Sequence, residues 1–176
     1  ALDIAINNSI KAGITIVVAA GNEGKDAGTF KPANNPEVIT VSAIADTDGK
    51  CGGNGPSTPY GADDMLASFS NYGDVVDISA PGVDIYSTFK SNSYTKLTGT
   101  SMAAPHVAGA AALYISLHPE ASPNDVKSYL ITSGTNLSDL CNGNGHGYFA
   151  GDKDNFHEPL LYIGTNKINW FNVVEQ

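Results

Sequence analysis

Residues 102–117, Met-Ala-Ala-Pro-His-Val-Ala-Gly-Ala-Ala-Ala-Leu-Tyr-Ile-Ser-Leu, set the strongest limit on what this chain can fold into. The pattern predicts a helix that is apolar nearly all round, built from Ala103, Ala104, Ala108, Gly109, Ala110, Ala111 and Ala112 among larger residues. Such a helix belongs at the centre of a domain with close neighbours on several sides. A buried sheet is the expected neighbour. Residues 14–20 (Ile-Thr-Ile-Val-Val-Ala-Ala) are the continuous, β-branched run of a strand covered on both faces. They follow a helical stripe of Leu2, Ala5, Ile6 and Ile10, which Gly13 ends. Helix, glycine, buried strand is the order of elements in an α/β protein with a parallel sheet.

Other elements follow by the same reading. Residues 38–45 predict a second strand and 75–79 a short third one, while 85–88 and 94–97 predict an antiparallel pair around Lys90, Ser91 and Asn92. Between them, residues 46–64 are rich in Gly, Pro, Asn and Asp and too long for a tight connection. Ser122-Pro123-Asn124-Asp125 predicts a helix start: a capping hydroxyl, a proline at the first helical position, and a carboxylate at the positive end. Gly134 predicts its stop. From residue 138 the sequence turns loop-like, with one apolar cluster at 159–163. The expected division is therefore a main unit over 1–137 and a C-terminal extension over 138–176.

A chain of 176 residues with 41% apolar content fills one domain core. A net charge of −9 argues against a nucleic-acid partner, which needs clustered Lys and Arg. No run of 18 apolar residues is present, so no membrane-spanning helix is expected, and no basic segment followed by an apolar one opens the chain. Cys51 and Cys141 are too far apart for a zinc ribbon or a thioredoxin-type pair. They are either two thiols or one long-range disulfide. Their Gly/Asn-rich surroundings favour the bond, because free cysteines prefer cores to loops.

The chemistry concentrates in Gly99-Thr100-Ser101-Met102-Ala103-Ala104-Pro105-His106-Val107-Ala108-Gly109. A glycine-containing turn delivers Ser101 to the start of the buried helix, where unpaired N–H groups and the helix dipole favour negative charge. A serine in that position is suited to an attack on a carbonyl that generates an oxyanion. Taken alone, a serine before a helix is more often just a cap. The whole string, however, resembles the nucleophile signature of the subtilisin-like (subtilase) family of serine endopeptidases. Ala19-Ala20-Gly21-Asn22 resembles the family's oxyanion-hole segment, and Ser68-Phe69-Ser70-Asn71-Tyr72-Gly73 and Ala80-Pro81-Gly82 match its later turns in order. The resemblance covers roughly residues 1–135, with loop lengths nearer the proteinase K branch.

This resemblance implies a three-layer α/β fold with a mostly parallel sheet, of which the N-terminal half is missing. It implies Ser101 as the acylated nucleophile, with the Ser101 N–H and the Asn22 side-chain amide as donors to the oxyanion. It implies Ala19, Ala20 and Gly21 as one wall of the substrate pocket, with Phe30 near its base or simply packed in the core. Subtilases order their triad Asp, His, Ser, and Asn22 already lies near the start of this sequence. The Asp and His are therefore expected upstream, on a missing half that would be this chain's partner. His106 is expected to be a packed histidine, and His118, His146 and His157 to be surface or loop residues. Without a base, Ser101 is an ordinary hydroxyl and the isolated chain should not turn over substrate.

The substrate class implied is polypeptide, with no cofactor for catalysis. The resemblance also implies a structural Ca²⁺ held by the carbonyls of Pro36 and Val38 and the carboxylate of Asp77, an oxygen-only set suited to that ion. Asp77 capping or pairing locally is the plainer reading. Family habit and the inferred disulfide imply an extracellular location. The competing function is a non-catalytic, subtilase-like binding or scaffold domain.

Overall fold

Ile39–Ala45 is buried at all seven positions and forms the axis of the sheet in the computed structural model, which describes residues 1–141 and 147–163. In chain order the elements are α1 (Leu2–Lys11), β1 (Val17–Ala19), a 3-10 turn (Ala27–Thr29), β2 (Ile39–Ala45), β3 (Met65–Leu66), β4 (Ile78–Pro81), β5 (Ile85–Phe89), β6 (Ser93–Leu97), α2 (Thr100–Leu117) and α3 (Pro123–Ser133). β4 runs parallel along one edge of β2, from Val41↔Ile78 to Ile44↔Pro81. The other edge is shared: β1 pairs parallel at Ile39–Val41, and β3 pairs antiparallel at Ile44 and Ala45. This is the expected mixed α/β fold.

α2 lies on this sheet. Ala103, Val107, Ala110 and Ala111 pack with Ile39, Val41, Ala43 and Ile78, and α3 adds Val126 and Leu130 to the same core. Each fully buried Val, Ile or Leu contributes about 1.5–3 kcal/mol. The alanines contribute little area each, but they let the helix come close to the strands. α3 begins as expected, with a capping box in which Ser122 Oγ accepts from the Asp125 N–H and the Asp125 carboxylate accepts from the Ser122 N–H at 2.9 Å. It ends at Gly134, whose N–H bonds Leu130 O at 3.1 Å.

Three expectations are corrected. The third strand begins at Ile78 rather than Val75, because the Val76 N–H closes a turn onto Gly73 O. The first strand is Val17–Ala19 rather than 14–20 and is half-buried instead of covered on both faces, with Ile14 55% exposed. α2 is not enclosed on all sides: Pro105, Ala108, Gly109 and Ala112 are exposed. Beside that face, β1 has no second strand partner among the described residues. A groove of about 410 Å³, lined by Ile14, Val17, Ala108, Ala112 and Ile115 among others, runs between them.

The C-terminal segment is tied to the sheet. The Ser79 N–H bonds Pro159 O at 2.9 Å and the Leu161 N–H bonds Ser79 O at 2.8 Å, which extends the sheet past β4. Phe149 is buried with Ile44 and Leu66. A disulfide joins Cys51 to Cys141 with the Cα atoms 5.5 Å apart, which settles the choice between thiols and a bond. Residues 142–146 and 164–176, His146 among them, lie outside the described residues.

Glu158 is buried where this segment meets β2 and β4. The Ser42 and Ser79 hydroxyls both donate to its Oε1. Burial, reinforced by the Asp152 carboxylate, pushes Glu158 up to about 7 against the lowering effect of those hydroxyls. Between its ordinary value near 4.5 and about 7, the folded chain holds a proton that the unfolded chain has lost. Stability therefore falls as pH rises through that window and is level above it. Glu158→Gln should remove this dependence. Its stability relative to wild type, measured by urea unfolding, should rise by about 2–3 kcal/mol from pH 5 to pH 8. Parallel profiles for the two proteins would show that Glu158 ionises normally.

Candidate active site

β1 ends at Ala19, and the chain turns through Ala20 and Gly21 to present Asn22 beside the start of α2. Asn22 Oδ1 accepts the Thr100 N–H at 2.9 Å and the Thr100 hydroxyl at 2.9 Å. Thr100 Oγ1 in turn accepts the Gly21 N–H at 3.2 Å. A backbone N–H can only donate, so the side-chain atom facing Thr100 must be the oxygen. That fixes the amide and turns Nδ2 away from Thr100. Ser101 follows as the second residue of α2, exposed, with its N–H among the amides that have no partner within the helix.

Gly99 completes the arrangement. Its φ of 153° and ψ of 164° belong to a region essentially restricted to glycine. A Cβ placed on Gly99 would lie 3.5 Å from Asn22 Nδ2, 3.6 Å from Asn22 Oδ1 and 3.8 Å from the Ser101 nitrogen, all ordinary contact distances, so it is the φ that calls for glycine here. The Asn22 amide and the Ser101 nitrogen thus both lie beside Gly99. Two neutral donors close together at a helix N-terminus can stabilise an oxygen that gains negative charge during a reaction.

The loop that carries Asn22 is held from beneath by Asn71, which is fully buried. Asn71 Oδ1 accepts the N–H groups of Glu23 and Lys25, both at 3.0 Å. Its Nδ2 donates to Ala20 O at 2.9 Å and to Glu23 Oε2 at 3.1 Å. Gly21, at φ 110°, has no room for a side chain here, since a Cβ would stand 2.3 Å from Asn71 Nδ2. Thr100 and Asn71 both lie within motifs that the sequence singles out, but no role could be assigned to either from sequence. The available signal was a hydroxyl next to Ser101 and an amide before an aromatic–glycine turn.

The subtilase family model matches residues 1–148. The chain belongs to the subtilase family. It is 44% identical over 133 residues to an extracellular serine proteinase of Thermus sp. (strain Rt41A), covering 74% of this chain and 28% of that protein. It is 40% identical over 142 residues to subtilisin DY of Bacillus licheniformis, covering 79% and 46%. The crystal structure of a cold adapted subtilisin-like serine proteinase superposes with a TM-score of 0.68 at 32% identity, covering 92% of this chain and 49% of that one. The subtilase chain thus spans between about a quarter and a half of the length of these relatives.

Among the described residues, no histidine of this subtilase chain bonds Ser101. His106 is exposed rather than packed, with Nδ1 at 2.9 Å from Met102 O on its own helix. His118 lies against Tyr114, and His157 pairs with Asp152 at 2.9 Å. Ala20 is buried in a small cluster with Ala27, Ala33 and Val76, against which Phe30 packs while partly exposed. The structure therefore brings Phe30 to the segment expected to wall the substrate pocket.

The expected calcium ligands also come together, but around a different cation. Lys127 Nζ, from α3, lies 3.0 Å from Pro36 O, 2.7 Å from Val38 O and 2.9 Å from Asp77 Oδ1. The oxygen set fits a cation, and the ammonium stands where a metal would be held. Elsewhere, Asp46, Asp63 and Asp64 form an acidic group in the long loop. Each accepts loop amides, from Gly49, from Thr47 and Gly55, and from Gly53 respectively.

Asn71→Ala leaves the part-buried Glu23 and Lys25 amides without their acceptor. It should cost about 2–4 kcal/mol in chemical denaturation. A cost under about 0.5 kcal/mol, the range of an ordinary surface change, would show that the loop is held by other means.

Proposed function

We propose that this chain is the C-terminal part of a serine endopeptidase that cleaves polypeptides through an acyl-enzyme on Ser101. The observation that carries this reading is that Asn22 is held through Oδ1 on Thr100, at the start of α2, with its amide beside the Ser101 nitrogen. In the reaction, Ser101 Oγ attacks the peptide carbonyl carbon and its proton passes to a histidine base. The carbonyl oxygen becomes an oxyanion that accepts from Asn22 and Ser101. As the carbon–nitrogen bond breaks, the histidine returns the proton to the leaving amine, and water then releases the acyl group by the reverse sequence. No cofactor is needed. Ala19, Ala20, Gly21 and Phe30 supply one side of the substrate pocket.

The base and its carboxylate partner come from sequence outside this chain. The bare face of α2 at Pro105, Ala108, Gly109 and Ala112, with the unpaired edge of β1, is the surface that such sequence would cover. The chain alone is inactive in this reading, because an unassisted serine hydroxyl is hardly nucleophilic near neutral pH. The Cys51–Cys141 bond and the extracellular character named for the Thermus relative support action outside the cell.

A fluorophosphonate probe tests the reading directly. The protein of full natural length carrying this chain should label at Ser101, whereas the 176-residue chain alone and Ser101→Ala should not. Gly99→Ala should slow labelling at least about tenfold. The scale for this effect is the loss of one oxyanion donor in a subtilisin, which lowers the rate by about 10²–10³. A folded full-length protein that does not label would instead be a subtilase-like binding or scaffold domain.

A further inference from the structure

The Lys127 ammonium has three N–H donors and is surrounded by three oxygens: Pro36 O at 3.0 Å, Val38 O at 2.7 Å and Asp77 Oδ1 at 2.9 Å. These are charge-assisted distances, with no donor left over. We propose that Lys127 is a built-in cation that takes the place of a metal ion in this three-oxygen site, making the junction between residues 36–38, β4 and α3 independent of free calcium.

Three observations support this reading. The two carbonyls are separated by a single residue in the turn before β2, and both meet at Nζ. The Asp77 carboxylate is fixed from its other oxygen, which accepts the Thr40 N–H at 2.9 Å, so Oδ1 is held toward that centre. The site is thus shaped by β2 and β4, and Lys127 is inserted into it from a helix that begins far along the chain. Lys127 and Asp77 side chains are only 19% and 18% exposed, so the pair is shielded from water.

The charges also decide which cation is held. One carboxylate is balanced by one ammonium. A calcium ion would need the same oxygens at about 2.3–2.6 Å, which places it almost on top of Nζ. Two cations at that separation repel strongly in a site shielded from solvent. Because Lys127 is covalently attached, it competes at an effective concentration that an ion in dilute solution does not reach. The inference concerns stability and is independent of the catalytic reading.

The test is calcium stoichiometry by isothermal titration, on the protein of full natural length carrying this chain, for wild type, Lys127→Met, Asp77→Asn and the double variant. Methionine keeps the packing of the lysine stem and removes its charge. Lys127→Met should bind one more Ca²⁺ than wild type, and adding Asp77→Asn should abolish that gain. The same variant should show a Ca²⁺-dependent rise in Tm several degrees larger than that of wild type. Equal stoichiometry for wild type and Lys127→Met would overturn the proposal. Loss of a bound Ca²⁺ on Asp77→Asn alone would also overturn it, and that comparison holds even if Lys127→Met fails to fold. Reductive methylation gives a second measurement: Lys127 should react far more slowly than the other lysines, at a rate unchanged by Ca²⁺.

Discussion

Two hydrogen bonds from Thr100 to Asn22 Oδ1 join the end of a strand to the start of a helix nearly eighty residues later, and the proposed active site depends on that junction. Without them, Asn22 would be one more exposed side chain on a loop. With them, its amide has a fixed direction, because the acceptor side is saturated by groups that can only or preferentially donate. The same bonds satisfy one of the orphan amides at the N-terminus of α2, so local stability and positioning come from one contact.

That junction is rigid because both of its sides are supported. Behind Thr100, the small residues of α2 allow close packing on β2 and β4, so the helix has little freedom to shift. Behind Asn22, the buried Asn71 uses its whole amide on the loop backbone and on Glu23. Gly21 is required where Asn71 presses against the chain, and Gly99 by its backbone conformation, φ 153° and ψ 164°, at the turn into α2. Preorganisation of this kind leaves little rearrangement to be made when charge develops in the reaction.

Much of this was legible in the sequence, and the reasons differ by residue. The strand around Val17 and the helix over 102–117 follow from apolar pattern alone, although that strand is half-buried rather than covered on both faces. The strings around Ser101 and Asn22 mark two segments that the fold brings together at the start of α2. The pairing of Thr100 with Asn22 was hidden, because pattern shows which residues lie on an element and not which side chain they meet across the fold. Lys127 was hidden for the same reason. On a helix, a lone lysine among polar residues is ordinarily a solvated one. Only the fold reveals that it reaches the oxygens of Pro36, Val38 and Asp77. The bare side of α2 was hidden too: composition shows that a face is apolar but not what covers it within this chain.

Central to the proposed chemistry is that Ser101 and Asn22 act on one reacting carbonyl. The most direct measurement is a crystal structure of the full-length protein inhibited by a peptide boronic acid. Boron should be bonded to Ser101 Oγ, with one boronate oxygen within hydrogen-bond distance of both Asn22 Nδ2 and the Ser101 nitrogen. A boronate bound elsewhere, or attached to Ser101 with its oxygens turned away from Asn22, would contradict it.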